Sequence, residues 1–163
     1  MSKQSTTGRK PQVVFGSKVH RDLLQGSEQI TAAIRPTLGP SPRLTLIENA
    51  LSGRAPELLD SGGLISRRIL QLRERTQDVG AMMLRHTLWR MSELVGDGTA
   101  TTAVLFQAVM REGRRYIAAG GDPMALRHHL EAAMKLVISE LDKMARPIQS
   151  SGMGFLGQES RQR

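Results

Sequence analysis

Glycine and proline fall along this chain in clusters, and the clusters fix where long helices can begin and end. Gly39-Pro40, Gly96-Asp97-Gly98 and Gly120-Gly121-Asp122-Pro123 separate stretches whose apolar residues recur at helical spacing. Proline cannot donate into a helical ladder, and glycine takes the left-handed backbone that a sharp turn needs. From Ser17 to Arg35, Val19, Leu23, Ile30 and Ile34 fall on one helical face. Ser17 is the expected N-cap and Pro36 the stop. Gly26 inside this helix costs helical propensity and reads as a close-packing position. Residues 78–95 place Leu84, Leu88, Met91 and Val95 on one stripe, with Met83 beside it. Residues 99–119 place Thr101, Val104, Leu105, Ala108 and Val109 on the expected inner face. Asp122 as N-cap and Pro123 in the first turn open a further helix. There Leu130, Ala133, Met134, Val137, Ile138 and Leu141 share a face as far as Arg146-Pro147. Three long helices joined by glycine turns predict a mainly α fold of long antiparallel helices.

The remaining segments are shorter. Leu44 to Ile47 predicts a strand, Asn49 to Pro56 a loop, and Glu57-Leu58-Leu59 a second strand closing a small β-hairpin. Asp60-Ser61-Gly62-Gly63 is a turn by composition. A helix starting near Leu64 would carry Ile65, Ile69 and Leu72, and the polar QLRERTQ stretch marks a junction between helices. Residues 1–14 read as a flexible polar arm and residues 148–163 as a disordered tail. Residues 15–147 are left as the folded part.

Charge and composition exclude several functions. The chain has no cysteine, which rules out disulfides, iron–sulfur clusters, thiolate zinc sites and a cysteine nucleophile. The formal net charge is +8, from 23 basic and 15 acidic residues. The excess is mainly in the first 75 residues, and there only Arg9-Lys10 and Arg67-Arg68 are adjacent basic pairs. Nucleic-acid readers cluster their basic groups and add aromatic stacking platforms. This chain has three Phe, one Trp and one Tyr, so a solvated basic surface is expected and nucleic acid is a remote alternative. No apolar run reaches the ~18 residues of a membrane span, and the polar start lacks a secretory apolar stretch, so a cytoplasmic location without a membrane partner is expected. Nine methionines, several on helical stripes, read as core filler. His86 and His128-His129 read as surface residues, and Trp89, off the main stripe of its helix, as partly exposed.

Two glycine turns carry possible chemistry. Thr37-Leu38-Gly39-Pro40 follows one helix and Gly96-Asp97-Gly98-Thr99 opens another. At a helix start the first N–H groups are unpaired and the dipole favours anions. Glycines let a phosphate approach the backbone, and Thr99 and Thr101 add hydroxyls. The Asp97 carboxylate repels a bare phosphate but suits a phosphate-bound Mg²⁺. No Gly-Lys-Ser/Thr follows, so this is not a Walker loop. Taken alone, the string reads first as an ordinary capped turn.

The order of these features resembles the N-terminal part of the group I chaperonins, the GroEL family. The family's Thr-Leu-Gly-Pro loop is matched at Thr37 to Pro40, and a glycine-alanine-methionine segment at Val79-Gly80-Ala81-Met82-Met83. Its Gly-Asp-Gly-Thr-Thr-Thr-Ala-Thr-Val-Leu signature is similar to Gly96-Asp97-Gly98-Thr99-Ala100-Thr101-Thr102-Ala103-Val104-Leu105. Its Ala-Ala-Gly-x-Asn-Pro-Met-Asp-Leu is similar to Ala118 through Leu126. The match is colinear from about Phe15 to Pro147.

The resemblance implies the helical equatorial domain, in incomplete form, which binds Mg-ATP and makes ring contacts. By position, Thr37, Leu38, Gly39 and Pro40 would line the nucleotide pocket. Asp97 would hold Mg²⁺, and Gly98, Thr99, Ala100 and Thr101 would cradle phosphates. The family's Thr-Lys-Asp-Gly reads Leu59-Asp60-Ser61-Gly62 here, so Asp60 replaces the aspartate only with a one-residue shift, and the lysine is missing. Ala100 loses a hydroxyl, and Ser41-Pro42-Arg43 stands for Lys-Gly-Arg. The family's second catalytic aspartate belongs to a returning half that this sequence does not contain. No catalytic residue is therefore assigned, and ATP hydrolysis by this chain alone is not expected. The implied partners are full-length chaperonin subunits or further copies of the chain, with unfolded clients reached only through a complete ring. Alternative readings are a non-catalytic chaperonin-interacting protein or decayed gene product without ATPase activity, and a basic nucleic-acid binder.

Overall fold

A computed structural model of the chain describes residues 13–48 and 55–146. The first twelve residues of the expected arm, residues 49–54 of the hairpin loop and the expected tail lie outside the described residues. The elements are α1 (Ser17–Ile34), a 3-10 turn (Arg35–Thr37), β1 (Thr45–Ile47), β2 (Glu57–Leu59), α2 (Gly62–Arg68), α3 (Arg75–Leu94), α4 (Thr99–Ala118) and α5 (Pro123–Met144). The fold is mainly α with one antiparallel β-hairpin, as expected. It divides into two compact units, one ending at Gly120 and the other starting at Gly121.

The first unit is organised by the crossing of α1 and α3. A Cβ on Gly26 would lie 1.8 Å from the Gln77 carbonyl oxygen, and one on Gly80 would lie 2.0 Å from the Leu23 carbonyl oxygen. The two helices therefore touch backbone to backbone, each through a glycine, and Gly26 is the close-packing position its sequence context indicated. Gln77 braces the contact: Gln29 Nε2 donates to its Oε1 at 2.6 Å, and its Nε2 donates to Gln25 Oε1 at 3.0 Å. Around this crossing Ile30, Ile34, Ile65, Ala81, Leu84, Leu88 and Ala103 form a fully buried core drawn from α1, α2, α3 and α4. Buried hydroxyls are satisfied locally, Ser27 donating to the Leu24 carbonyl and Thr31 to the Ser27 carbonyl. Among the described residues, one buried side-chain oxygen has no hydrogen-bond partner, Asp22 Oδ2 on α1. Such a group costs about 1–3 kcal/mol.

Several expectations are corrected. Gly16, with φ +78°, is the N-cap of α1, and Ser17 is its first helical residue. α2 begins two residues early, at Gly62, and ends at Arg68, leaving Ile69 and Leu72 outside it. The cause is Arg85 on α3, whose guanidinium donates to the Ile69 and Leu70 carbonyls. Asp78 receives both Arg85 and the Leu72 N–H, at 3.3 and 3.1 Å. Those bonds claim carbonyls and an N–H that a longer α2 would need. On α3 the buried face is Gly80, Ala81, Leu84 and Leu88, and Val95 and Met83 are exposed.

The largest correction is α4. Its buried residues are Thr99, Ala103 and Gln107, whereas Thr101, Leu105, Ala108 and Val109 are exposed. The methionines are corrected too: among the described residues no methionine is buried, and Met82 and Met83 face solvent. Trp89 is half exposed, against the His86 ring at 5.9 Å between centroids.

The second unit contains α5. The Asp122 carboxylate caps it by accepting the N–H groups of Met124 and Ala125 at 3.1 and 3.0 Å, as expected from Asp-Pro. Its apolar stripe, expected from helical spacing, carries no buried residue; Leu130, Met134, Val137, Ile138 and Leu141 are all exposed. Periodicity gives the helix a face but not a partner for it. No helix among the described residues is long and apolar enough to cross a membrane.

Candidate functional site

Three turns of the first unit surround a cleft of about 340 Å³. The first is Thr37-Leu38-Gly39, after α1. The second is Asp60-Ser61-Gly62, between β2 and α2. The third is Gly96 through Thr101, which joins α3 to α4. The two glycine turns singled out in the sequence, 59 positions apart from Thr37 to Gly96, thus face the same space.

Local chemistry explains each wall. The α3–α4 turn reverses through Gly96 and Gly98, at φ +82° and +78°, a backbone that side chains with a Cβ rarely adopt. Gly98 is the N-cap of α4, and its carbonyl accepts the Thr102 N–H at 2.9 Å, the first helical bond. The N–H groups of Thr99, Ala100 and Thr101 precede that bond and are the open donors of the helix start. Asp97 Oδ1 accepts the Gly98 N–H at 2.6 Å, which orients the carboxylate and leaves Oδ2 for another ligand. Thr99 is buried, Ala100 half-buried and Thr101 exposed.

On the opposite wall, Thr37 is buried and its hydroxyl donates to the Ile34 carbonyl at 2.8 Å. That bond ties the turn to the end of α1, and a hydroxyl that donates can still accept. The third wall is held by close packing. A Cβ on Gly62 would lie 2.7 Å from Ile34 Cγ2 and 3.1 Å from Thr99 Oγ1. Gly62 therefore lets the start of α2 sit against both α1 and the first turn of α4.

Of the nine candidate residues, Thr37, Leu38, Gly39, Asp97, Gly98, Thr99, Ala100 and Thr101 line the cleft, and Pro40 does not. The cleft adds Asp60, Ser61, Gly62 and Gly96, which were not among the candidates. Asp60 was visible only as a misaligned aspartate in a turn-forming string; nothing in the local pattern tied it to Asp97.

The donor set decides what the cleft can take. Among the described residues two carboxylates, Asp60 and Asp97, and no lysine or arginine line it. Among the described residues no cluster of three or more His, Asp or Glu forms a complete metal site. Mg²⁺ keeps several waters and binds through one or two carboxylates plus phosphate oxygens. The residues present fit a magnesium ion that arrives with a phosphate, and they disfavour a bare phosphate.

A family model for the TCP-1/cpn60 chaperonins matches residues 30–154. Over 140 residues the chain is 36% identical to Chaperonin GroEL 1 of Polaromonas naphthalenivorans, a match covering 86% of this chain and 25% of that protein. It is 35% identical to Chaperonin GroEL 2 of Albidiferax ferrireducens, with the same coverage. The chain spans about a quarter of the length of these curated relatives.

Proposed function

The chain belongs to the TCP-1/cpn60 chaperonin family, and on that premise we propose that it acts as the nucleotide-binding, equatorial part of a chaperonin-type assembly in the cytoplasm. In this reading residues 15–147 are the folded segment, and its task is ATP-dependent assistance to protein folding in concert with further chaperonin subunits or copies of itself. Mg-ATP enters the cleft between the Thr37–Gly39 turn and the Gly96–Thr101 turn. Asp97 would hold the magnesium ion, with Asp60 as the second carboxylate lining the cleft, and the ion would supply positive charge to neutralise phosphate oxygens. The N–H groups of Thr99, Ala100 and Thr101, together with the Thr99 and Thr101 hydroxyls, hold phosphate oxygens. Leu38 and Gly39 form the opposite wall and fix the depth of entry.

The observation that supports this reading is the convergence of three turns on a cleft with two carboxylates, a helix start and no cation. Equilibrium dialysis of the full chain with Mg-ATP tests it. Asp97→Ala is expected to weaken Mg-ATP binding at least tenfold while leaving the helical circular dichroism unchanged. Binding of equal strength in the variant sinks the proposal.

A second reading is favoured by Leu105 and Val109 on α4, which are 60% and 51% exposed. Monomers rarely leave contiguous apolar patches uncovered. In that reading the chain docks on complete chaperonin subunits without nucleotide chemistry of its own. Co-purification with a chaperonin ring that survives Asp97→Ala and fails in Leu105→Asp favours this second reading over the first.

A further inference from the structure

Leu38 separates the aspartate cleft from a second, larger recess of opposite charge. This recess, about 650 Å³, is lined by Arg35, Arg43 and Arg111 around the apolar floor of Ala32, Pro36 and Leu38. Among the described residues Glu28 is the one acidic residue lining it, against the three arginines. Its pairing with Arg111 is loose, at 3.4 Å, between side chains 49% and 35% exposed. A pair of that kind contributes little to stability and leaves most guanidinium donors unengaged. Arg35 Nη2 donates to Gln107 Oε1 at 2.8 Å, which uses one of its five N–H groups and fixes the fork in place. The Arg43 N–H donates to the Pro36 carbonyl at 3.0 Å, so the loop carrying this third arginine is tied back across the recess. Among the described residues the Arg43 side chain makes no hydrogen bond or ion pair.

Three arginines supplied by three segments, with a single carboxylate among the described lining residues, match an anion carrying several negative charges. Arginine forks suit phosphate oxygens bidentately. The volume lies within the range of small-ligand sites. From this geometry we infer that the recess is an oligophosphate-binding site, separate from the aspartate cleft and independent of magnesium. The two sites divide the work by charge. The aspartate cleft needs a metal to accept phosphate, whereas the arginine recess accepts it directly. The inference does not depend on Mg-ATP binding in the cleft.

Isothermal titration of the full chain with inorganic triphosphate in EDTA tests it, because chelation removes the metal the aspartate cleft requires. Saturable binding is expected, unchanged in Asp97→Ala and weakened at least tenfold in Arg43→Gln/Arg111→Gln, with circular dichroism unchanged in both. Affinity should also fall as salt rises, since these charges are near solvent. ATP in EDTA distinguishes the source of the phosphates: equal affinity for ATP and triphosphate means that only the phosphate chain is read, and tighter ATP binding means that the apolar floor also holds the nucleoside. Either result supports the site. No binding in EDTA overturns it, as does binding indifferent to the arginine substitutions. Capture of an acidic peptide with no triphosphate binding overturns it as well.

Discussion

α1 and α4 are both amphipathic helices of similar length, 18 and 20 residues, yet they obey the hydrophobic pattern to different degrees. α1 buries Ile30 and Ile34, apolar residues that its sequence marks as inward. α4 buries Thr99, Ala103 and Gln107 and turns Leu105 and Val109 outward. The contrast lies in what each helix meets. α1 meets α3 through glycine, so its isoleucines descend into the core beside a backbone contact. α4 presents its smaller side chains to that core: Ala103 is fully buried and its carbonyl accepts the Thr31 hydroxyl at 3.4 Å. Gln107 is buried because it holds Arg35, not because it is apolar. Steric fit at a crossing can outweigh hydrophobicity in choosing a face.

The strongest way to break this comparison is at Gly26. Gly26→Val places branched carbon against the Gln77 carbonyl, where even one Cβ would stand 1.8 Å from the oxygen. Real side chains do not tolerate such an approach, so α1 and α3 must separate. The expected outcome is loss of a cooperative thermal transition, and a variant that melts like the parent removes the glycine crossing as the organising contact. Next in size is Leu84→Ala, which opens a cavity beneath the crossing and should cost roughly 2–5 kcal/mol by urea denaturation. Gly62→Ala is smaller, about 1–3 kcal/mol, because Ile34 and the first turn of α4 must shift to admit a methyl group. It should weaken Mg-ATP binding together with stability, and unaltered nucleotide affinity would separate the cleft from this packing. The smallest effect belongs to the outward face. Leu105→Ser should change stability by less than about 0.5 kcal/mol in dilute protein. If that face is covered in an assembly, the same substitution will reduce sedimentation at high concentration. A large loss of stability in dilute monomer would show that α4 buries the apolar face after all.

Much of the fold was legible in the sequence because its signals are local. Asp122-Pro123 predicts a capped helix start, and the carboxylate caps it. Glu57-Leu58-Leu59 predicts the second hairpin strand with its observed limits. The end of α2 was not legible, since Arg85 decides it from α3, seventeen or more residues away from the helix it stops. The candidate site divides the same way. The turns at Thr37 and Gly96 are marked by glycine and threonine. Asp60, by contrast, joins them only through the packing of Gly62 against Ile34 and Thr99, which no spacing encodes.

Local signals along the chain account for the long helices, most of their boundaries, the hairpin and the chaperonin resemblance. Glycine, proline and capping residues act within a turn of where they stand, and a family signature is a string. The tertiary structure decided which face α4 buries, where α2 ends, and that two aspartates and three arginines face separate recesses on either side of Leu38. Those outcomes depend on which backbone can approach which, and that is settled only when helices distant in sequence compete for the same core.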